Sequence, residues 1–351
     1  MLEKKRNFGL DIARASSILL VLIAHRFSLP IELGILGVQI FFVLSGFLIG
    51  QILINDFRND GKLSTILKFW KRRWYRTLPL YYLVLIFKIL FYGNPFGWKI
   101  IVYFLFLQAN IVGINFLGVS WSLVIEEWFY IFLPITTFLF FRKGIDFKKF
   151  TLYIFSFIFI FLLTRFLWNF FHKGVIIYQF DCLLLGVLIA SIKIFYPKIY
   201  IKLNSSLLFL IGVFLMSILV INLGEMKNIY IYDTYRKVIW YFLISISIAL
   251  IIPFIEQSSF LNTKIKTIRP LFYFYTWTSI LTYSIYLIHM FVFEINFNNY
   301  PLGINICFQI LILYAICFLV YALFEHPMLN LREKLSLKQY VNTIKSFTFK
   351  I

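Results

Sequence analysis

Ten stretches of this chain are apolar for long enough to cross a bilayer: 8–28, 36–54, 78–93, 120–141, 150–171, 175–195, 206–223, 237–255, 277–297 and 304–324. A hydrocarbon core is about 30 Å thick and takes about 20 helical residues. The pattern predicts an all-α fold, a polytopic membrane helical bundle of about ten transmembrane helices. An eleventh run, 99–113, is shorter and flanked by Gly97, Gly113 and Gly118, so a re-entrant or interfacial segment is expected there. With 61% hydrophobic and 14% charged residues, the chain has more apolar side chain than a soluble domain can hide. Lys4, Lys5 and Arg6 before an apolar stretch resemble a signal peptide, but Arg14 interrupts the stretch and no small-residue cleavage site follows. A retained first helix is expected instead. Residues 1–330 read as a membrane domain and 331–351 as a short basic cytoplasmic tail, too short for a second domain.

The net charge of +19 raises the question of nucleic acid, and its distribution answers it. Ten spans put both termini on one side. The segments on that side carry Lys4 to Arg6, the basic run Arg58 to Arg76, Arg142 to Lys149, Lys193 to Lys202, Lys264 to Arg269, and Arg332 to Lys350. The other side holds Arg26, Lys88, Lys99, Lys173, Lys227, Arg236 and Lys237. The positive-inside rule then places both termini in the cytoplasm. The excess charge is mainly a topology signal, and no nucleic-acid-binding fold accompanies it. Cys182, Cys307 and Cys317 lie within apolar runs and show neither disulfide nor metal-ligand spacing.

A charge at bilayer depth costs about 2.5–3.5 kcal/mol even on a forgiving insertion scale. Those within the spans are Asp11, Arg14, His25, Glu126, Glu127, Arg165, Asp181 and His289. Arg14 and His25 are eleven residues apart, almost three whole turns, so they share a helix face about 16 Å apart along the axis. Counting inward from the span ends puts Glu126 level with His25, where a carboxylate would fix the ring's tautomer and raise its basicity. Asp181 and Arg165 fall in the same outer half, and His289 near the middle. These groups read either as ion pairs that hold helices together or as a polar path through the bundle.

The segment 55–77 is expected on the cytoplasmic side, with Lys68-Phe-Trp-Lys71-Arg72-Arg73-Trp-Tyr-Arg76 at its end. On a helix Arg73 and Arg76 share a face, and arginine forks suit phosphate oxygens, including those of coenzyme A. The other reading is an interfacial helix held by anionic lipid heads. Ser45-Gly46, in mid-membrane, marks either a close helix contact or the passage of a ligand chain or thioester; Ser45 is not expected to be a nucleophile.

These residues sit in strings that resemble a known family. Leu10-Asp11-Ile-Ala-Arg14 followed by His25 resembles the opening signature of the acyltransferase 3 family of membrane O-acyltransferases. Gly37 to Gly46, Arg73-Trp-Tyr-Arg76 with Pro79, and Trp121-Ser122-Leu123-Val-Ile-Glu126-Glu127 are similar to its later motifs, as are Tyr283-Ser284-Ile-Tyr286-Leu-Ile-His289 and Glu325-His-Pro327. The matches follow family order from residue 10 to 327. Two positions depart: Gln179-Phe180-Asp181 lacks the arginine often found near that aspartate, and Trp128 stands where glutamine is common.

The resemblance implies an O-acetyltransferase of the cell envelope, a multi-pass protein of the bacterial cytoplasmic membrane. Acetyl-CoA would be the acyl donor and cosubstrate, with no metal. The acceptor would be a hydroxyl of a surface polysaccharide or lipid-linked sugar. The expected roles are donor binding by Arg73, Arg76, Ser45 and Gly46, and catalysis by His25 as general base with Glu126, Arg14 and His289. A transporter or flippase of a lipid-linked sugar would use similar buried charges, but leaves the arginine pair unexplained. A non-catalytic scaffold leaves the histidine and carboxylate without purpose.

Overall fold

The computed structural model describes residues 6–27, 31–59, 61–108, 116–142, 147–171, 179–225, 235–258, 268–295, 297 and 300–332. Among these residues every regular element is helical. In chain order the helices are α1 (Phe8–Arg26), α2 (Ile31–Asn59), α3 (Leu63–Tyr92), the four-residue α4 (Ile101–Phe104), α5 (Trp121–Arg142), α6 (Phe147–Phe171), α7 (Phe180–Phe195), α8 (Pro197–Leu203), α9 (Ser206–Glu225), α10 (Tyr241–Gln257), α11 (Arg269–Phe293) and α12 (Leu302–Val320).

Among the described residues eight helical segments are long and apolar enough to cross a membrane, or nine if α8 and α9, bent by 62° across their break, count as one span. This is a multi-pass membrane protein. The ten expected spans included 175–195, of which α7 has 16 residues, about 24 Å; residues 172–178 lie outside those described. The run 99–113 begins within the 3₁₀ turn Gly97–Ile100 and continues into α4, with 109–113 outside the described residues. Tyr81 of α3 donates to the Tyr103 carbonyl at 2.9 Å, and Trp128 of α5 to the Phe106 carbonyl at 3.0 Å, so the bundle holds this segment against itself. The expected separate segment 55–77 is instead the end of α2 and the start of α3. At 30 residues α3 is about 45 Å long, more than a bilayer core requires. The tail 331–351 lies almost wholly outside the described residues.

Lipid-facing and protein-facing surfaces separate clearly. Leu90, Phe91 and Leu323 are 73%, 72% and 76% exposed, while Asp181 and His289 are fully buried. Water is the wrong solvent for the first set, and lipid the wrong one for the second. Many buried polar groups are accordingly paired. Arg165 of α6 forms an ion pair with Asp181 of α7, which gives these two the helix-holding role the sequence left open. Gln39 donates to Gln179 at 2.9 Å and accepts from Ser245 at 3.2 Å, tying α2 to α10 and to the start of α7. Lys193 of α7 and Tyr200 of α8 both donate to Glu256 of α10.

At the centre α2 crosses α7 backbone to backbone. A Cβ on Gly46 would stand 1.9 Å from the Leu183 carbonyl oxygen, and one on Gly186 2.1 Å from that of Val43. Helices in lipid have no hydrophobic drive to associate, so close contact of small residues supplies it. Gly46→Ala is expected to cost about 1–3 kcal/mol or more, read as a lower thermal midpoint of the purified protein. An unchanged midpoint would mean that α2 and α7 do not meet this closely.

Candidate functional site

Helices α1 and α11 run side by side and parallel. Arg14 donates to Ser279 at 3.5 Å, and eleven residues further along α1 His25 meets His289 at 3.2 Å. Both residues of α1 thus face the same neighbour, as their spacing predicted. The site has a basic end, an imidazole end and a cavity between them.

At the basic end Asp11 is the anchor. Asn7 caps α1 by accepting from the Leu10 amide at 3.1 Å, which puts Asp11 in the first turn, where helix N-termini favour a carboxylate. Asp11 accepts from Arg6 at 2.7 Å and from Ser279 at 2.8 Å, and Arg14 stands 3.9 Å away. The other charged neighbours of Arg14 are cationic: Arg76, Arg6 and Arg73. Arg73 and Arg76 share a face of α3, Arg73 half-buried and Arg76 exposed. Arg73 lies over the rings of Tyr130 and Phe69, 5.6 and 5.9 Å from their centroids. Acidic groups stand close by, Asp11 to Arg14, Glu126 and Glu127 to Arg73, and Glu325 to Arg76, and the cluster of guanidinium forks suits an anion with several oxygens.

A proline sets the position of Tyr130. Pro134 has no N–H to give the carbonyl four residues earlier, which is that of Tyr130. Trp70 of α3 donates to that carbonyl at 2.9 Å, locking α3 to α5 one turn before Arg73. Thr77 then donates to Glu127 at 2.7 Å, and Tyr283 of α11 to the Thr77 carbonyl at 2.7 Å.

A small cavity of about 30 Å³ lies between α1, α2, α5 and α11. Ser17, Val21, Ser122, Glu126, Thr282 and Tyr286 are among its lining residues. Glu126 is 4% exposed, and its Oε1 has no hydrogen-bond partner. Its electrostatic neighbours are Glu127 and Arg73, with Ser45 and Tyr130 beside it.

At the imidazole end His289 is buried and His25 is exposed near the end of α1. Val21 and Tyr286 of the cavity wall each lie one helical turn from these rings, His25 four residues after Val21 and His289 three after Tyr286.

The structure thus brings Arg14, Arg73 and Arg76 to one end and His25 and His289 to the other, and separates two groups that the sequence put together. The partner of His25 is His289, not Glu126. Ser122 bonds Tyr286 at 2.7 Å, which fixes the register of α5 against α11. Glu126, one turn past Ser122, therefore lies about 10 Å along the bundle from the imidazoles, towards Arg73. Depth counted from apolar span ends missed this, because α5 begins only after the 3₁₀ turn Gly118–Ser120. Gly46 is filled by the backbone of Leu183, so its place is in helix packing; Ser45 faces the Tyr130 hydroxyl at 3.2 Å. The sequence reading also missed Ser279, Thr77 and Tyr130, because hydroxyl groups barely disturb an apolar pattern. The spacing of Tyr283, Tyr286 and His289, three residues apart on one face, was the available signal.

Comparison with known proteins adds three findings. A family model described as an acyltransferase domain matches residues 7–325. O-acetyltransferase OatA of Staphylococcus aureus, in strains NCTC 8325 / PS 47 and COL, is 32% identical over 154 residues, 38% of this chain and 25% of the relative. The match thus spans about a quarter of those relatives. No solved structure matches the chain. From its ordered motifs and the near-complete family match, the chain belongs to the acyltransferase 3 family.

Proposed function

We propose that this protein is a membrane-bound O-acetyltransferase that moves an acetyl group from cytoplasmic acetyl-CoA to a hydroxyl of a cell-surface or lipid-linked carbohydrate, in a bacterial cytoplasmic membrane. The observation that carries the reading is the division of the site. Arg14 with its neighbouring arginines, and His25 with His289, lie one helical turn beyond the two ends of the α1 stretch that lines one cavity, Arg14 and His25 about 16 Å apart along α1. A ligand that uses both is anionic at one end, extended in the middle and reactive at the other. Coenzyme A, with phosphates and a thioester at the ends of a flexible arm, has that form. The bias of lysine and arginine towards one face of the membrane supports a cytoplasmic basic end.

Arg73 and Arg76 hold the phosphates. Arg14, kept in place by Asp11 and Ser279, supports the donor where it enters the bundle. The unpartnered Oε1 of Glu126 offers the donor's arm an acceptor within the cavity. His25 takes the proton of the acceptor hydroxyl as its oxygen attacks the acyl carbon. The carbon–sulfur bond breaks, and the thiolate of coenzyme A leaves and recovers a proton. Donor and acceptor atoms must come within about 3–3.5 Å, so the acceptor approaches from the side on which His25 is exposed.

His25→Ala is expected to lower carbohydrate acetylation about 10²- to 10⁴-fold at normal protein level, measured by mass spectrometry of surface glycans. Near-normal acetylation would remove His25 from this role. Arg73→Ala combined with Arg76→Ala is expected to abolish binding of acetyl-CoA to the purified protein, measured by calorimetric titration. Undiminished binding would place the donor elsewhere.

A further inference from the structure

Two imidazoles in contact pose a question of protons, because each neutral ring has one nitrogen that donates and one that accepts. His289 answers it for itself. Its Nδ1 lies 3.1 Å from the Ile285 carbonyl and 2.9 Å from that of Tyr286, both on its own helix. Carbonyl oxygens only accept, so Nδ1 of His289 carries the proton and donates it. Its Nε2 is then a bare acceptor, and that atom lies 3.2 Å from Nδ1 of His25. For a hydrogen bond there, His25 must carry its own proton on Nδ1. The Val21 carbonyl, one turn earlier on α1, also lies against the His25 ring as an acceptor.

We infer that His289 is a positioning residue that fixes His25 in the Nδ1-protonated tautomer, which leaves His25 Nε2 bare for the acceptor hydroxyl. The inference rests on the reading of His25 as general base and gives its geometry. Orientation of a catalytic histidine is usually the work of a carboxylate. Here Glu126 lies about two turns away, and a second histidine, anchored by backbone carbonyls, takes that place. The proton path is a chain in one direction: His25 Nδ1–H to His289 Nε2, and His289 Nδ1–H to the carbonyls of α11. A neutral histidine does this at a fully buried position without bringing a charge into the bundle.

The test reads the tautomer directly. Nitrogen NMR of the purified protein, labelled with ¹⁵N in its histidine rings, distinguishes a protonated from a bare ring nitrogen, and His25→Asn identifies the His25 signals among those of the four histidines. In the native protein His25 is expected to show a protonated Nδ1 and a bare Nε2; the reverse would overturn the inference without recourse to any variant. In His289→Leu the His25 signals are expected to shift towards a mixture with Nε2 protonated. The kcat should fall about 10²-fold or more, with KM for acetyl-CoA unchanged. His289→Gln, whose amide oxygen replaces the lost acceptor, should restore the native tautomer and much of kcat. A His25 tautomer unchanged in His289→Leu also sinks the inference. Failure of the general-base reading shows differently, as transfer that survives His25→Ala while the tautomer remains as described.

Discussion

Lipid offers no hydrogen bonds, so a polar group inside this bundle is favoured where another part of the chain meets it. The contact between α1 and α11 does most of this for the site. Asp11, Arg14 and Ser279 are satisfied together at one end of that contact, and His25 and His289 at the other. Between them the two helices part enough, with α2 and α5, to leave a cavity. The polar groups cannot be added singly. Asp11 without Arg6 and Arg14 would be a lone buried carboxylate, and Arg14 without Asp11 would face other guanidiniums alone.

The remaining helices act as a frame. The backbone contact of α2 and α7 fixes the centre of the bundle. From it the face of α2 that carries Ser45 reaches Tyr130 of α5. The carbonyl freed by Pro134 gives Trp70 a fixed partner, so α3 is held to α5 at a set register and Arg73 is laid over the Tyr130 ring. A backbone defect in one helix thus places a cationic side chain of another. The same economy appears at His289, where carbonyls of α11 receive the ring proton.

Much of this was legible in the sequence. Apolar runs gave the class and most of the helices, because their length is set by membrane thickness. The eleven-residue spacing placed Arg14 and His25 on one face, and the three-residue spacing did so for Arg73 and Arg76. Axial level was not legible. It depends on where each helix starts in the bilayer, and α5 starts after a segment that folds back against α3. That shift moved Glu126 away from His25 and towards Arg73. Nor does the sequence reveal that Gly46 is closed off by Leu183, since a close helix contact and a ligand path call for the same small residue.

The ion pair between Arg165 and Asp181 bears on how the chain enters the membrane. Were α6 to pass into hydrocarbon by itself, Arg165 would oppose insertion by about 2.5–3.5 kcal/mol. Its counter-ion lies in the very next helix, α7, which is also too short to span comfortably on its own. Each helix thus lacks what the other supplies. The pair is best accommodated when α6 and α7 lie in the hydrocarbon together, their charges joined.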